Sequence, residues 1–263
     1  VLLLVVVGFG LWVDTRLNRV EALPSESSTS TEGTNWLIVG SDSRAGLTPE
    51  EEKELATGGD VGQRTDTIML LHVPSGGGPT VLVSVPRDSF VPIPGRKRNK
   101  INAAYAFGGA PLLVQTLESV TGIRIDDYVE TGLGGFASIV DEIGGIRICP
   151  KFDMDDKDAH INLKKGCQEA DGRTALGYAR ARKSDPRGDL GRVERQREVL
   201  AAIASKTLSP GTIAQPWKGF PAAKAGGGAL TVDESTSTYA VVRFVLAMRA
   251  VSGGDGLSLT VPV

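Results

Sequence analysis

The chain has 263 residues, 41% apolar and 23% charged, the proportions of an ordinary globular protein, and enough length for one large domain or two small ones. Twenty-nine Lys and Arg oppose 31 Asp and Glu, so the formal net charge is −2 and the pI about 5.8. That balance excludes a global positive field that would recruit nucleic acid or anionic lipid non-specifically. Any anion site must be a local concentration of basic residues.

Val1 to Val13 are apolar apart from their glycines. As a helix they reach about 20 Å, short of the roughly 30 Å hydrocarbon core of a bilayer. They read as part of a transmembrane helix that starts upstream, or as the hydrophobic region of a signal peptide. No small-residue cleavage site follows, which favours an uncleaved anchor, and residues 1–23 are expected to form that anchor and a juxtamembrane helix. Either reading sends the remainder out of the cytoplasm. Residues 24–34 (PSESSTSTEGT) are small and polar, as in a flexible tether. Residues 35–263 are then expected to form one extracytoplasmic domain.

Asn35–Gly40 (NWLIVG) suits a buried strand, and Pro49–Leu55 a short helix. Thr67–Val73 and Thr80–Val85 are apolar runs around a glycine-rich turn, which suits a hairpin. Gly109–Val120 has helical spacing, with Pro111 tolerated in a first turn. Asp126–Glu130 reads as a strand and Leu133–Ile143 as a helix stopped by Gly144-Gly145. Ile146–Ile148 reads as an edge strand, Thr174–Arg182 as running into a strand, and Gly191–Leu208 as a long helix. Ala225–Gly228 reads as a loop, Glu234–Arg249 as a helix and Leu257–Val261 as a last strand. Strands alternating with helices predict an α/β fold, with a mixed central sheet flanked by helices on both faces.

Cys149 and Cys167 enclose 17 residues. Outside the cytoplasm a disulfide is expected, worth on the order of 3 kcal/mol by loop closure. Two cysteines and two distant histidines make no zinc signature. His72, inside an apolar run, reads as a core histidine.

Arginine and aspartate recur at strand ends: Asp42 and Arg44 in GSDSR, Arg64 and Asp66 in RTDT, Arg87 and Asp88 in VPRD. If the first and third strands run parallel and the second antiparallel, all three pairs reach one sheet edge, the usual place for a ligand crevice. Asp42 and Asp66 would suit Mg²⁺ (or Mn²⁺) beside bound phosphates; each also suits a turn or helix cap. A second concentration lies in YARARKSDPRGDLGRVERQRE. Arg180 and Arg182, two apart on a strand, would share a face, and Arg192, Arg195 and Gln196 would share one on a helix. Arginine forks bind phosphate in bidentate fashion. The alternative is a solvated face paired with Asp185, Asp189, Glu194 and Glu198, to which Arg173, Arg187 and Arg197 would belong. Lys100 and Asn102 either add donors or sit on a solvated loop. No phosphate loop, GxSxG elbow or dinucleotide fingerprint is present.

The succession GSDSR, RTDTIMLLHV, VSVPRDSFVPIPG, KINAAYAFGG, GIRIDDYVE, GFASIVDEIGGI and GYARARKSDPRGDLGRVERQREVL resembles the LytR-CpsA-Psr family over about Asn35 to Leu208. The alanine, glycine and valine content and the cysteine pair suit an actinobacterial member. The resemblance implies a phosphotransferase that moves a glycopolymer from a polyprenyl-pyrophosphate carrier onto peptidoglycan, with a pyrophosphatase side activity. By motif, Asp42 and Asp66 match magnesium-associated aspartates. Arg64, Arg87, Arg180, Arg182, Arg192 and Gln196, with Lys100, match pyrophosphate-contacting positions. The catalytic set is then Arg87, Asp88 and Asp66, with Asp88 or Asp66 as base. The helices at Leu112–Leu117 and Phe136–Ile143 are offered as walls of a prenyl pocket. The insertion 45–61 bears on the position of Asp42. A non-catalytic lipid-pyrophosphate or glycan-binding module is the alternative. The acidic pI and absent recognition helix argue against a nucleic-acid partner.

Overall fold

The computed structural model describes residues 14–24, 31–43, 65–207 and 228–261. The expected helix at Pro49–Leu55, the insertion and most of the tether lie outside these residues, as does the apolar N-terminal run. Among the described residues no helix is long and apolar enough to cross a membrane.

A seven-stranded mixed sheet forms the centre, in the order β1-β12-β7-β2-β3-β4-β13. Its strands are β1 (Asn18–Val20), β2 (Thr34–Ser41), β3 (Thr65–Val73), β4 (Thr80–Ser84), β7 (Asp127–Thr131), β12 (Leu230–Asp233) and β13 (Gly256–Thr260). β2 and β4 both run antiparallel to β3, so they are parallel to each other, as the ligand-crevice argument required. The apolar runs are continuous because both faces are covered. Leu37, Val39, Ile68 and Leu70 face helix α1 (Asn102–Thr121). Their neighbours Trp36, Ile38, Met69 and Leu71 face α4 (Asp189–Thr207) and α5 (Thr238–Gly253). The alternation is the period-two geometry of a strand. Trp36 meets Phe244 of α5 at 5.0 Å between ring centroids.

Helix α1 starts earlier than its apolar spacing indicates and is kinked at Gly108–Gly109, which places Pro111 in the first turn of the second segment. It is tied to the sheet by a buried carboxylate. Glu130 on β7 accepts from Tyr105 at 2.6 Å and Tyr128 at 2.5 Å. Burial, with Glu130 alongside, pushes both phenols above their ordinary range.

A smaller unit covers one end. It comprises α2 (Leu133–Glu142), α3 (Gly172–Arg180) and two short antiparallel pairs. These are β8 (Ile146–Ile148) with β11 (Gln168–Ala170), and β9 (Met154–Asp156) with β10 (Ile161–Leu163). Cys149 and Cys167 form the expected disulfide. β5 (Phe90–Val91) and β6 (Asn99–Lys100) form another short pair.

Ile146–Ile148 is an edge strand as expected, in a two-stranded sheet with β11. Two expectations are corrected. Thr174–Arg182 is no strand: Asp171 caps a helix there by accepting from Thr174 N at 2.8 Å, and that helix runs to Arg180. Asn18–Val20, placed in a juxtamembrane helix, is β1, because Arg19 and Val20 pair with Val232 and Asp233. His72 serves structure as expected, with Nδ1 2.8 Å from Asn35 Oδ1.

Asp127 begins β7 beside Asp126 and Asp233, and burial pushes its carboxyl up to about 6. An acid with a raised folded-state pKa is stabilising while it stays protonated. That contribution is complete below the unfolded value near 4 and is lost as pH rises through about 6. Asp127→Asn should therefore melt higher than the parent at pH 7–8, with the difference vanishing near pH 4, in thermal melts across that range.

Candidate functional site

The C-terminal ends of β2 and β4 and the start of β3 open on a cavity of about 380 Å³, within the roughly 300–1,000 Å³ usual for ligand sites. Its cationic wall is Arg87, Arg180, Arg182, Lys183 and Arg192, with Gln196 beside them. Asp42, Asp66, Asp156 and Asp158 are its carboxylates. Apolar side chains share the lining, among them Ile38, Leu133, Phe136, Leu176, Val199 and Leu200.

Each polar group arrives by a separate local device. The register of β2 on β3 pairs Gly40 with Thr67 and Ser41 with Thr65, so Asp66 is the extra residue of a bulge. Bulges bend a strand and redirect a side chain; here the redirected side chain lines the cavity. Arg87 follows β4 and donates to Asp66 Oδ1. The chain just after Asp42 is held by the turn between β7 and α2: Leu133 N donates to Ser43 O at 3.2 Å. A Cβ on Gly132 would lie 2.6 Å from that same oxygen, so the approach requires glycine.

Arg180 and Arg182 reach the cavity for a reason other than strand alternation. Arg180 ends α3, and Ala181 turns the chain into an extended conformation, φ −52° and ψ 139°. Asp156 on β9 then accepts from the backbone N–H of Arg182 at 2.8 Å and of Lys183 at 2.9 Å. It also accepts from Asp158 and Ala159. Burial alone would raise its pKa, but these N–H donors outweigh burial and hold the carboxyl below the ordinary range.

Arg192 and Gln196 line the cavity from α4, and Arg192 is only 4% exposed. Arg195 does not share their face. It is 3% exposed and donates to Asp185, to Ala181 O and, at 3.0 Å, to Tyr178 O. It therefore clamps the segment between α3 and α4 from inside. A Cβ on Gly191 would lie 1.7 Å from Asp185 Oδ2, so glycine at that position is what lets Asp185 in. The alternative reading put Asp185 and Glu198 on a solvated face. Instead Asp185 is buried, and Glu198 accepts from Cys149 N and Tyr178 OH, each at 2.8 Å. Arg187 does pair with Glu194 as a partly exposed residue, and it also reaches the Asp185 carboxylate at 3.4 Å.

Lys100 and Asp88 lie outside the lining, joined to each other at 2.6 Å. The Lys100 hydrogen bond, with Arg87 nearby, holds the Asp88 carboxyl below its usual range. Arg44 and Arg64 fall outside the described residues. Helix α1 packs on the other sheet face, so Leu112–Leu117 forms no wall of the cavity. Of the second helix offered as a wall, Leu133 and Phe136 contribute, while Val140 and Ile143 pack elsewhere. Among the described residues no three His, Cys, Asp or Glu side chains cluster as a metal site. Lys183, Asp156 and Asp158 were not anticipated; only Lys183 had a signal, its adjacency to the arginines.

Residues 14–241 match the LytR_cpsA_psr family. The chain belongs to this family. It is 49% identical over 254 residues to the probable cell wall biosynthesis protein LcpB of Corynebacterium glutamicum, covering 96% of this chain and 60% of LcpB. It is 37% identical over 171 residues to TagV of Bacillus subtilis, a polyisoprenyl-teichoic acid–peptidoglycan teichoic acid transferase, covering 62% of this chain and 44% of TagV. The solved structure of TagT bound to LIIa-WTA matches with a TM-score of 0.65 and 25% identity, over 92% of this chain and 85% of that one. The chain thus spans 60% or less of the length of these two curated relatives. The mixed α/β architecture is that of family structures.

Removing one partner of a buried ion pair strands the other charge. Asp185→Ala should cost about 3–5 kcal/mol in urea unfolding, whereas Arg187→Ala, at the surface, should cost about 0–1 kcal/mol. Equal costs would show that the clamp does not organise this segment.

Proposed function

We propose that this chain is a phosphotransferase that moves a glycopolymer from a polyprenyl-pyrophosphate carrier to a peptidoglycan hydroxyl, and that it works at the outer face of a bacterial membrane. The observation that carries the reading is the meeting of Arg87, Arg180, Arg182 and Arg192 with a set of apolar side chains in the lining of one cavity. A pyrophosphate attached to a prenyl chain has that same division: dense negative charge at one end and hydrocarbon at the other. The names of the relatives LcpB and TagV, and the ligand of TagT, point the same way.

In this reading the arginine forks hold the two phosphates and neutralise the charge that builds as the bridge breaks. The apolar side chains take the first part of the prenyl chain. The acceptor hydroxyl attacks the sugar-linked phosphorus, a new P–O bond forms, the bond to the bridging oxygen breaks, and polyprenyl phosphate leaves. With a hydroxyl as acceptor the product is a phosphodiester; with water it is the hydrolysis expected of a pyrophosphatase. The hydroxyl proton passes to a cavity carboxylate. Asp66 is better suited than Asp88, because Asp66 lines the cavity while Asp88 lies outside it and its hydrogen bond to Lys100 makes it a weaker base.

Two carboxylates fit Mg²⁺ (or Mn²⁺), which is usually held by one or two carboxylates with substrate phosphates completing the shell. Asp42 and Asp66 would hold it, and when bound it supplies further charge neutralisation. Lys100 acts at the rim by fixing Asp88 and Arg87, and Arg64 is assigned to the pyrophosphate by motif alone. Residues 1–13 are assigned as membrane anchor on sequence character, whereas 24–34, expected as a tether, lead from β1 into β2 of the same sheet and so do not link anchor to domain.

The test is release of phosphate from a short prenyl pyrophosphate with Mg²⁺, and transfer to a peptidoglycan fragment. Arg87→Ala, Arg180→Ala and Arg182→Ala should each lower the rate about 10²–10³-fold, as loss of a transition-state charge contact does. Unchanged rates would defeat the site assignment, and binding without turnover would identify a non-catalytic module.

A further inference from the structure

Helix α5 carries apolar residues on both sides. Ala240, Phe244, Ala247, Met248 and Val251 pack against the sheet. On the other side Tyr239, Val242 and Leu246 are 73%, 51% and 50% exposed. Their spacing, i, i+3 and i+7, puts them in one stripe along the outside of the helix. At 100° per residue, Arg243 falls on one flank of the stripe and Arg249 on the other, and both residues are exposed. Large apolar side chains in a continuous exposed line mark a surface that meets something other than water.

The chain itself says what lies nearby. Thr238, the first residue of α5, donates from Oγ1 to Asp14 Oδ1 at 2.8 Å, and Arg19 donates to the same oxygen at 2.9 Å. Asp14 directly follows the apolar run Val1–Val13. The stripe therefore begins one residue from the point where the most hydrophobic part of the chain joins the fold. The stripe's composition matches a lipid headgroup region: tyrosine is enriched at membrane interfaces, and arginine stems lie along apolar surface while their heads reach phosphate.

We infer that the Tyr239–Val242–Leu246 face of α5 seats in the headgroup region of an anionic bilayer, with Arg243 and Arg249 against lipid phosphates. The helix is already ordered by its core side, so docking costs no folding. With the N-terminal segment as a tether, this second contact fixes the rotation of the domain over the membrane. The inference rests on the membrane attachment proposed above and is independent of the transfer chemistry.

The chain's two cysteines are both in the disulfide, so a thiol placed by substitution can be labelled selectively. The full chain carrying Val242→Cys, bearing a fluorophore, is reconstituted into phosphatidylcholine–phosphatidylglycerol vesicles with brominated acyl chains. Leu257→Cys is the control. Leu257 is exposed, and its neighbour Ser258 meets Arg197 of α4, so Leu257 points from the opposite sheet face. Quenching should be several-fold stronger at 242 than at 257. Arg243→Glu with Arg249→Glu should reduce it, as should high salt, while the chain still co-sediments with vesicles. Co-sedimentation without preferential quenching at 242 overturns the inference. Concentration-dependent shielding of 242 in lipid-free detergent also overturns it, in favour of a second copy. Failure to co-sediment defeats the membrane attachment itself. Loss of transfer activity in the glutamate variants with quenching intact bears only on the proposed reaction.

Discussion

A buried guanidinium is tolerable only when its donors meet acceptors, because an uncompensated charge inside a protein costs several kcal/mol. Arg195 meets that condition with one carboxylate and two backbone carbonyls, from the end of α3 and the segment that joins it to α4. The geometry of the cavity follows from this. The acceptors at Tyr178 and Ala181 fix the end of α3, where Arg180 projects. The Asp185 carboxylate fixes the turn that leads into α4, where Arg192 and Gln196 project. Asp156 completes the frame by taking the N–H groups of Arg182 and Lys183.

The frame solves an electrostatic problem. Cations gathered around one cavity repel one another, and flexible ones would spread apart. Here the repulsion is opposed by carboxylates that do not all enter the cavity. Asp185 and Asp156 act through main chain and a neighbouring arginine, while Asp66 pairs with Arg87. A chain of net charge −2 can thus present a local cationic wall. The division of labour also separates binding arginines from structural ones, which are chemically identical. Arg192 and Arg195 lie three residues apart on one helix, both nearly fully buried, and only Arg192 lines the cavity.

Much of the fold was legible because burial on both sides of a sheet leaves a direct trace. The runs at Asn35–Gly40, Thr67–Val73 and Thr80–Val85 became β2, β3 and β4 with small shifts of boundary. The strand directions that bring Asp42, Asp66 and Arg87 to one sheet edge followed the same logic, while Arg44 and Arg64 lie outside the described residues and Asp88 lies outside the cavity lining. The segment Thr174–Arg182 misled because its alternating arginines imitate a strand, while the cap at Asp171 and packing on α2 make it a helix. β1 was hidden because three residues carry no periodicity, and only pairing with β12 makes them a strand.

By itself the sequence determined the α/β class, the family, the disulfide partners and the residue types that a phosphate site needs, because these depend on local pattern and motif order. The tertiary structure alone decided that Arg195 turns away from the cavity, that Asp66 is turned inward by a bulge, and that the apolar part of the lining comes from β2, α2, α3 and α4 and not from α1. Those outcomes depend on register and on contacts between residues far apart in the chain. Asp156, whose carboxylate takes the backbone amide of Arg182, has no pattern in one dimension that would reveal that link.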